Sequence, residues 1–238
     1  MKNIKDIKNV FYINLDYRPD RMHHFETEIK KLDLDVSANR FNAIKHTCGA
    51  VGCSMSHLAL LKSAKQQNLD HILIMEDDIM FLNPEIFTNS INNFLSGGTD
   101  FDVLLISGNN MGDYNRIDDF CVRITKCQTT TGYLVKNHYY DKLIENIERG
   151  IRNLLKNFNR LNDFAIDQYW GDLQKIDKWY LLTPLTVTQR PDYSDIERRH
   201  TNYNRVMLDL DKKALRHIKV IKERVILSTA MNDIINNH

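Results

Sequence analysis

Three consecutive acidic residues, Glu76, Asp77 and Asp78, follow directly on an apolar run at residues 72–75. Adjacent carboxylates repel one another unless a cation lies among them, and carboxylate oxygens are suitable ligands for Mg2+ or Mn2+. Glu76 and Asp78 are two residues apart, so both side chains can lie on one side of an extended backbone. The sequence therefore predicts a divalent-metal site held by Glu76 and Asp78.

A second interpretation is a turn in which the acids only cap the helix that follows. We favour the metal site because the run at 72–75 is short, rich in isoleucine and not alternating, which predicts a strand buried on both faces. The acids then lie at the carboxyl end of that strand, the edge where open α/β sheets bind ligands. Asp77 is the acid best suited to a structural role.

Polar residues also end the first predicted strand, where Asn14 and Asp16 are followed by Arg18 and Arg21 at a predicted helix start. Asp16 could accept a hydrogen bond from a base or a ribose, and the arginines could bind phosphate. We therefore group these four residues, together with Asp77, as candidate nucleotide contacts. A solvated turn with an ion pair between an arginine and a nearby aspartate explains the same residues equally well.

Ser56 and His57 lie in a predicted helix at residues 54–66 and are candidates for further nucleotide contacts. The alternative for His57 is a core histidine with satisfied hydrogen bonds, which is the commoner fate of such a residue. Cys53, just before this helix, is not favoured as a nucleophile because the sequence shows no base or orienting group beside it.

A polar loop at residues 189–200 is rich in arginine. Arg190 could clamp a diphosphate, and His200 or Asp195 could complete the metal shell, although composition alone slightly favours an exposed charged loop. Asp167 opens another predicted helix. It could be a helix cap or, if it reaches an acceptor hydroxyl, a general base.

The elements that must position these residues alternate between strand and helix in the first half of the chain, which predicts a sheet flanked by helices. The predicted strands lie at residues 10–15, 40–44, 72–75, 102–107, 121–124, 130–135 and 179–182. From about residue 204 an apolar stripe at helical spacing predicts a C-terminal helical extension, 204–238, after a domain at 1–203. The stripe packs on its own domain by default, and pairing with a second copy as a homodimer is the alternative.

Composition excludes several classes of function. A formal net charge of +1 over 238 residues argues against nucleic acid and anionic membrane surfaces as partners. The four cysteines are irregularly spaced, and Cys48 and Cys53 lack a second pair at zinc-site spacing, so we expect reduced thiols. The N-terminus has no signal-peptide-like stretch, and no run approaches the roughly 20 apolar residues of a membrane span. We expect a soluble, cytoplasmic protein.

Taken together, the segments resemble glycosyltransferase family 25, the lipooligosaccharide-type and procollagen-type sugar transferases. The resemblance covers roughly residues 10–196, and it is the order and spacing of short motifs that make it specific. The motifs are 11–16 with Arg18, Asp20 and Arg21; Gly52-Cys53 with Ser56-His57; 74–78; 132–135; Asp167; and Ser194-Asp195-Ile196.

The resemblance implies a GT-A-like, Rossmann-type mixed sheet, a nucleotide-sugar donor that is often a UDP-hexose, and Mn2+ as the usual metal. Glu76-Asp77-Asp78 corresponds to the family's acid cluster, with Glu-x-Asp in place of the commoner Asp-x-Asp. The family is regarded as inverting, so a carboxylate must deprotonate the acceptor hydroxyl, and Asp167 is the first candidate, with Asp172 second. The metal, with Arg190 or Arg198, would stabilise charge on the departing diphosphate.

We therefore expect an enzyme that moves a hexose to a hydroxyl of a glycan or a glycosylated protein. The alternative from another class is a non-catalytic nucleotide- or carbohydrate-binding module with the same fold. A metal-dependent phosphohydrolase ranks last because the sequence offers no phosphoryl-accepting nucleophile. The sequence leaves the donor sugar, the acceptor and the linkage open.

Overall fold

The computed structural model describes residues 1–32, 34, 37–194 and 196–212 of the 238-residue chain. Most of the predicted helical extension, and with it the alternative of a homodimer, therefore lies outside the described residues, as does Asp195. The division at residue 203 stays a prediction. No helix within the described ranges is long and apolar enough to cross a membrane.

Strands and helices alternate along the first half of the chain, and short strands dominate the second. The strands are β1 (Val10–Asn14), β2 (Asn39–Asn42), β3 (His71–Glu76), β4 (Ile79–Phe81), β5 (Val103–Leu105), β6 (Asn109–Asn110), β7 (Tyr114–Arg116), β8 (Cys121–Ile124), β9 (Cys127–Gln128), β10 (Gly132–Lys136), β11 (Trp179–Leu182), β12 (Val187–Gln189), β13 (Asp192–Ser194) and β14 (Arg199–Thr201). The α-helices are α1 (Pro19–Ile29), α2 (Gly49–Gln66), α3 (Pro84–Ser96), α4 (Tyr140–Lys156), α5 (Leu161–Phe164), α6 (Ile166–Tyr169), α7 (Gly171–Ile176) and α8 (Asn204–Met207).

The central sheet has eight strands in the order β2-β1-β3-β10-β5-β11-β8-β7. The neighbours β2, β1 and β3 are parallel, whereas β10 lies between β3 and β5 and runs antiparallel to both. The sheet is therefore mixed. The predicted α/β class, a mixed sheet flanked by helices, is confirmed.

Strand β3 is buried on both faces, as its unbroken apolar run predicts. Ile72 and Ile74 pack in the hydrophobic layer that includes α2 and α4, while Leu73 and Met75 pack in the layer on the other face with α1 and α3. All four side chains are at most 2% exposed. Burying each stabilises the fold by about 1.5–3 kcal/mol, so the sheet edge after Met75 is rigidly placed.

Helix α2 begins at Gly49, five residues before the predicted start. The sequence pattern treats the stretch with Gly49 and Gly52 as a loop, but it forms the first turn of the helix. The reason is close packing, since a Cβ at Gly52 would lie 2.5 Å from the carbonyl oxygen of Ile44. This contact holds the start of α2 against the chain that leaves β2, and it brings Cys53 and His57 towards the end of β3.

Candidate functional site

Glu76 ends β3, and Asp77 and Asp78 form the turn to the short strand β4, which pairs with β12. They do not cap the following helix, because α3 has its own cap in Asn83, whose side chain accepts a hydrogen bond from the amide of Ile86. The turn is held from the other side by Arg190, whose amide donates to the carbonyl of Asp78 over 2.7 Å. The acidic turn is therefore built into the sheet edge.

Asp77 is tied to the end of β1. Its Oδ2 accepts a 2.7 Å hydrogen bond from the buried side chain of Asn14, which in turn accepts from Arg40. Its Oδ1 accepts from Arg21 over 3.1 Å. Burial raises the pKa of Asp77 above its ordinary value, although Arg21 and Asn14 act in the opposite direction. These contacts fit the structural role suggested for Asp77, because they join β1 and α1 to the acidic turn.

A guanidinium lies among the acids. Nη1 of Arg21 is 3.1 Å from oxygens of both Asp77 and Asp78, and its Nε is 3.3 Å from Asp192. Nη2 donates to the carbonyl of Tyr193 over 3.0 Å. Arg21 is only 13% exposed, so it compensates acidic charge away from bulk water and also attaches the hairpin formed by β13 and β14 to the site.

Asp78 keeps one oxygen open. Its Oδ2 contacts Arg21, whereas its buried Oδ1 has no hydrogen-bond partner among the described residues. Burial, followed by the nearby charge of Glu76, raises the pKa of Asp78 to about 8. A buried carboxylate oxygen with a raised pKa can accept a hydrogen bond or bind a cation, since either would favour the ionised form.

Glu76 has a different environment. Its Oε1 accepts from the Thr130 hydroxyl over 2.7 Å and lies 3.7 Å from Nε2 of His57, while its Oε2 accepts from Gln189 over 3.0 Å. Burial acts to raise the pKa of Glu76, but the nearby His57 side chain and the hydrogen bond from Thr130 bring it below its ordinary value. The pKa values of the two outer acids are therefore shifted in opposite directions, down for Glu76 and up for Asp78.

Asp167 lies at the same edge of the sheet, at the start of α6. Its Oδ2 accepts from the amide of Thr129 over 3.1 Å, and the next residue, Thr130, donates to Glu76. Burial raises the pKa of Asp167, and the charge of Glu76 contributes in the same direction. The structure thus brings the predicted base near the acids, and Thr129 and Thr130 connect it to Glu76.

The other candidate base, Asp172, is exposed and pairs with Lys175 on the surface over 2.7 Å. His200 lies in the exposed strand β14, with its ring 5.7 Å from that of Tyr193. Arg198 is also exposed, and its amide donates to the carbonyl of Ser194. Among the described contacts, these three residues are therefore separate from the acids.

Three of the candidate nucleotide contacts, Arg18, Arg190 and Asp16, lie around the edge of the site. Arg18 and Arg190 lie near the acids and both contact Asp192, over 2.7 and 3.3 Å. Asp16 is exposed at the end of β1, where it accepts from Arg40 and Asn42, and hydrogen bonding to Arg40 lowers its pKa. These charged and polar side chains therefore surround the acidic turn.

Ser56 and His57 are both fully buried. The Ser56 hydroxyl accepts from the amide of Ile44 and donates to the carbonyl of Gly52, each over 2.8 Å, so it fastens the start of α2 to the chain after β2. His57 instead reaches Glu76 and the Tyr133 hydroxyl. Ser56 therefore makes a structural contact, whereas His57 lies beside Glu76 in the candidate site.

Two contacts of Glu76, with Thr130 and Gln189, have no counterpart in the sequence analysis. Thr130 reaches Glu76 because β10 pairs antiparallel with β3, and Gln189 reaches it because β12 pairs with β4. Both pairings join segments more than 50 residues apart, and no local pattern indicates which strands become neighbours. The run of three threonines directly before Gly132 is the available signal.

Comparison with known proteins places this geometry in a family. The family model for glycosyltransferase family 25 (LPS biosynthesis protein) matches residues 45–169, slightly more than half of the chain, which includes the acidic turn and Asp167. No curated protein matches the chain.

Similar solved structures include a mannose-1-phosphate geranyltransferase from Thermus thermophilus, with 9% identity and a TM-score of 0.45 over 76% of this chain and 74% of that one. A glycosyltransferase involved in glycosylation of the major capsid of PBCV-1 has 9% identity and a TM-score of 0.42 over 73% and 80%. The glycosyltransferase GlyE of Streptococcus pneumoniae has 10% identity and a TM-score of 0.43 over 74% of this chain but 45% of that chain. From the family match, the chain belongs to glycosyltransferase family 25 and is a glycosyltransferase.

Proposed function

We propose that this enzyme transfers a hexose from a UDP-sugar to a hydroxyl of a glycan or a glycosylated protein, with inversion and with help from Mn2+ or Mg2+. One observation carries the proposal. Within the segment matched by the family, Asp78 has an open buried carboxylate oxygen, and Asp167 lies at the same sheet edge. The reaction needs one group to stabilise the leaving diphosphate and another to activate the acceptor.

The donor would bind across the carboxyl ends of β1 and β3. Arg18, Arg21 and Arg190 supply positive charge there, and all three contact Asp192 in the hairpin of β13 and β14. A diphosphate offers the same bidentate acceptor geometry as a carboxylate, so it could replace Asp192 as the partner of one or more of these arginines. Asn14 and Asp16 remain the candidates for the nucleoside.

The residues around Asp78 fit a divalent cation. Its Oδ1 is buried without a partner among the described residues, and carboxylate oxygen is the ligand that Mn2+ and Mg2+ prefer. Asp78 would hold the ion, with Glu76 as the second ligand through the oxygen that faces Gln189. His200 stays a prediction as the third ligand and would have to leave its contact with Tyr193. The chemistry that a bound ion supplies is neutralisation of charge developing on the departing diphosphate.

Asp167 is the proposed base. It would take the proton of the acceptor hydroxyl as the acceptor oxygen forms a bond to the anomeric carbon. The bond from that carbon to the diphosphate oxygen breaks at the same time, and its electron pair leaves with the nucleotide. Because burial raises the pKa of Asp167, its carboxylate is a stronger base than an exposed one. The amide of Thr129 donates a hydrogen bond to Oδ2 of Asp167 and so fixes the orientation of the carboxylate.

A donor screen tests the proposal. UDP-, GDP- and CMP-sugars are compared for nucleotide release by the wild type in the presence of Mn2+ or of EDTA. We expect turnover of a UDP-hexose that EDTA abolishes and that Asp78→Asn reduces by at least about 100-fold, the scale of removing one transition-state electrostatic contact.

The matched control is Asp172→Asn, which changes an exposed aspartate that pairs only with Lys175 among the described contacts. This variant should keep wild-type turnover. Full activity of a folded Asp78→Asn protein, or turnover that persists in EDTA, would contradict the proposed metal site.

A further inference from the structure

A second cluster of ligand atoms lies on the α2 side of Glu76. Cys53 and His57 are four residues apart on α2, so they lie on the same helical face, one turn apart. Sγ of Cys53 is 3.8 Å from Oε1 of Glu76, and Nε2 of His57 is 3.7 Å from the same oxygen. The sulfur, nitrogen and oxygen atoms all lie within 4.8 Å of one another. Three different ligand types therefore converge on one point.

His57 is oriented as a metal ligand would be. Its ring is fully buried, and Nδ1 is hydrogen bonded to the Tyr133 hydroxyl over 2.8 Å. Its Nε2 points to the cluster and has no hydrogen-bond partner among the described residues. Metal-binding histidines almost always use the second ring nitrogen in such a hydrogen bond, which fixes the orientation of the ring. Tyr133 is therefore in the position of an outer-shell partner.

A simple ion pair between His57 and Glu76 is the alternative explanation. At 3.7 Å the two atoms are within ion-pair distance but beyond hydrogen-bond distance. The ion pair also leaves the thiol of Cys53 unexplained. That thiol has only Glu76 and Thr130 as described partners, at the long distances of 3.8 and 4.0 Å.

We propose that Cys53, His57 and Glu76 bind Zn2+. Bond lengths to zinc of about 2.0–2.3 Å with tetrahedral angles separate the ligand atoms by about 3.3–3.6 Å. The separations of the nitrogen and sulfur from Oε1 of Glu76, 3.7 and 3.8 Å, are only slightly larger. The third separation, between the sulfur and the nitrogen, is within 4.8 Å, so an inward movement of the side chains closes the site. Three protein ligands leave the fourth position for water or for the Thr130 hydroxyl, which adjoins Glu76.

The donor set distinguishes this site from the one proposed at Asp78. Thiolate and imidazole favour zinc, whereas the two carboxylates proposed to hold the ion at Asp78 suit Mn2+ or Mg2+. Binding requires loss of the Cys53 proton, and burial raises the pKa of that thiol, so each Zn2+ bound should release at least one proton. The inference does not rest on the proposed transfer reaction, because occupancy is measured without donor or acceptor.

The test uses the full chain after removal of metal with a chelator. Zn2+ affinity is measured by competition with a chromophoric chelator, and Co2+ is used as a spectroscopic probe for thiolate ligation. We expect one equivalent of Zn2+, a thiolate-to-Co2+ charge-transfer band, and release of at least one proton per ion. Cys53→Ser should abolish the band, and Tyr133→Phe should weaken Zn2+ binding by about 10–100-fold while keeping the band.

The matched control is Cys48→Ser, which removes a second half-buried thiol at the start of the same helix. It should retain both the band and the affinity, and thermal unfolding of the metal-free variants checks that each is folded. The proposal is overturned if the wild type binds no Zn2+, in which case His57 and Glu76 form only an ion pair. Equal Zn2+ affinity in the wild type and Cys53→Ser also overturns it. So does binding that Asp78→Asn abolishes but Cys53→Ser leaves intact, since the ion would then occupy the carboxylate site.

Discussion

Replacing Arg21 with methionine removes the cation that lies among the acids while keeping most of the side-chain volume. The guanidinium is 3.1 Å from both Asp77 and Asp78, and all three side chains are at most 14% exposed. At an effective dielectric constant of about 20, opposite charges about 4 Å apart attract by about 4 kcal/mol. The desolvation of the Arg21 guanidinium offsets part of its attraction to Asp77 and Asp78.

Removing one partner of a buried ion pair typically destabilises a protein by about 3–5 kcal/mol. We expect Arg21→Met to lower the free energy of unfolding by that amount above about pH 8, where Asp78 is ionised. The assay is urea unfolding followed by circular dichroism in the presence of EDTA. The matched control is Arg149→Met, which breaks an exposed pair with Glu145 and should cost about 0.3–0.5 kcal/mol.

The cost of Arg21→Met should also depend on pH. Without the guanidinium the pKa values of Asp77 and Asp78, already raised by burial, rise further. A carboxyl with a raised folded-state pKa contributes its stability fully below the unfolded value of about 3.9 and loses it as pH rises through the folded value. The penalty should therefore be smaller near pH 5 and largest near the pKa of about 8 of Asp78 or above it.

Two results would refute this reasoning. One is a change in the free energy of unfolding no larger than that of Arg149→Met. The other is a penalty that stays constant or grows as the pH falls from about 8 to about 5, which would mean that Arg21 does not compensate Asp77 and Asp78.

Three substitutions test how the sheet edge is positioned, each by the free energy of unfolding in urea. Gly52→Ala places a methyl group against the carbonyl of Ile44 and should cost about 1–3 kcal/mol, with local rearrangement of the α2 start visible as lost protection from hydrogen exchange; a stabilised variant would show that the contact is absent. Ile74→Ala empties a fully buried position of β3 and should cost about 2–5 kcal/mol, whereas a cost below about 1 kcal/mol would contradict the two-sided burial. Asn83→Ala removes the cap of α3 and should cost about 0.5–2 kcal/mol, and no change would indicate that another residue caps the helix.

The parts of the fold that follow from local pattern could be predicted. The unbroken apolar run before Glu76 identifies a strand buried on both faces, and the structure places the acids at the carboxyl end of that strand, as predicted. The structure also brings Asn14, at the end of β1, into contact with Asp77, as expected for neighbouring parallel strands.

The contacts within the site could not be predicted. The structure places the guanidinium of Arg21 among the acids, whereas the sequence analysis offers this residue as a phosphate contact or as part of a solvated turn. That contact depends on how β1 and β3 pair and on where α1 begins, and it joins residues more than 50 positions apart. For the same reason, the grouping of Glu76 with Cys53 and His57 becomes visible only when α2 is placed against β3.

The most direct test of the proposed reaction is the turnover number of Asp167→Asn with a UDP-hexose donor at saturating donor and acceptor. The substitution keeps the shape of the side chain but removes its ability to take the acceptor proton. We predict a turnover number lower by about 10²–10⁴-fold, with donor affinity within about twofold of the wild type. A folded Asp167→Asn enzyme with a wild-type turnover number would contradict the account.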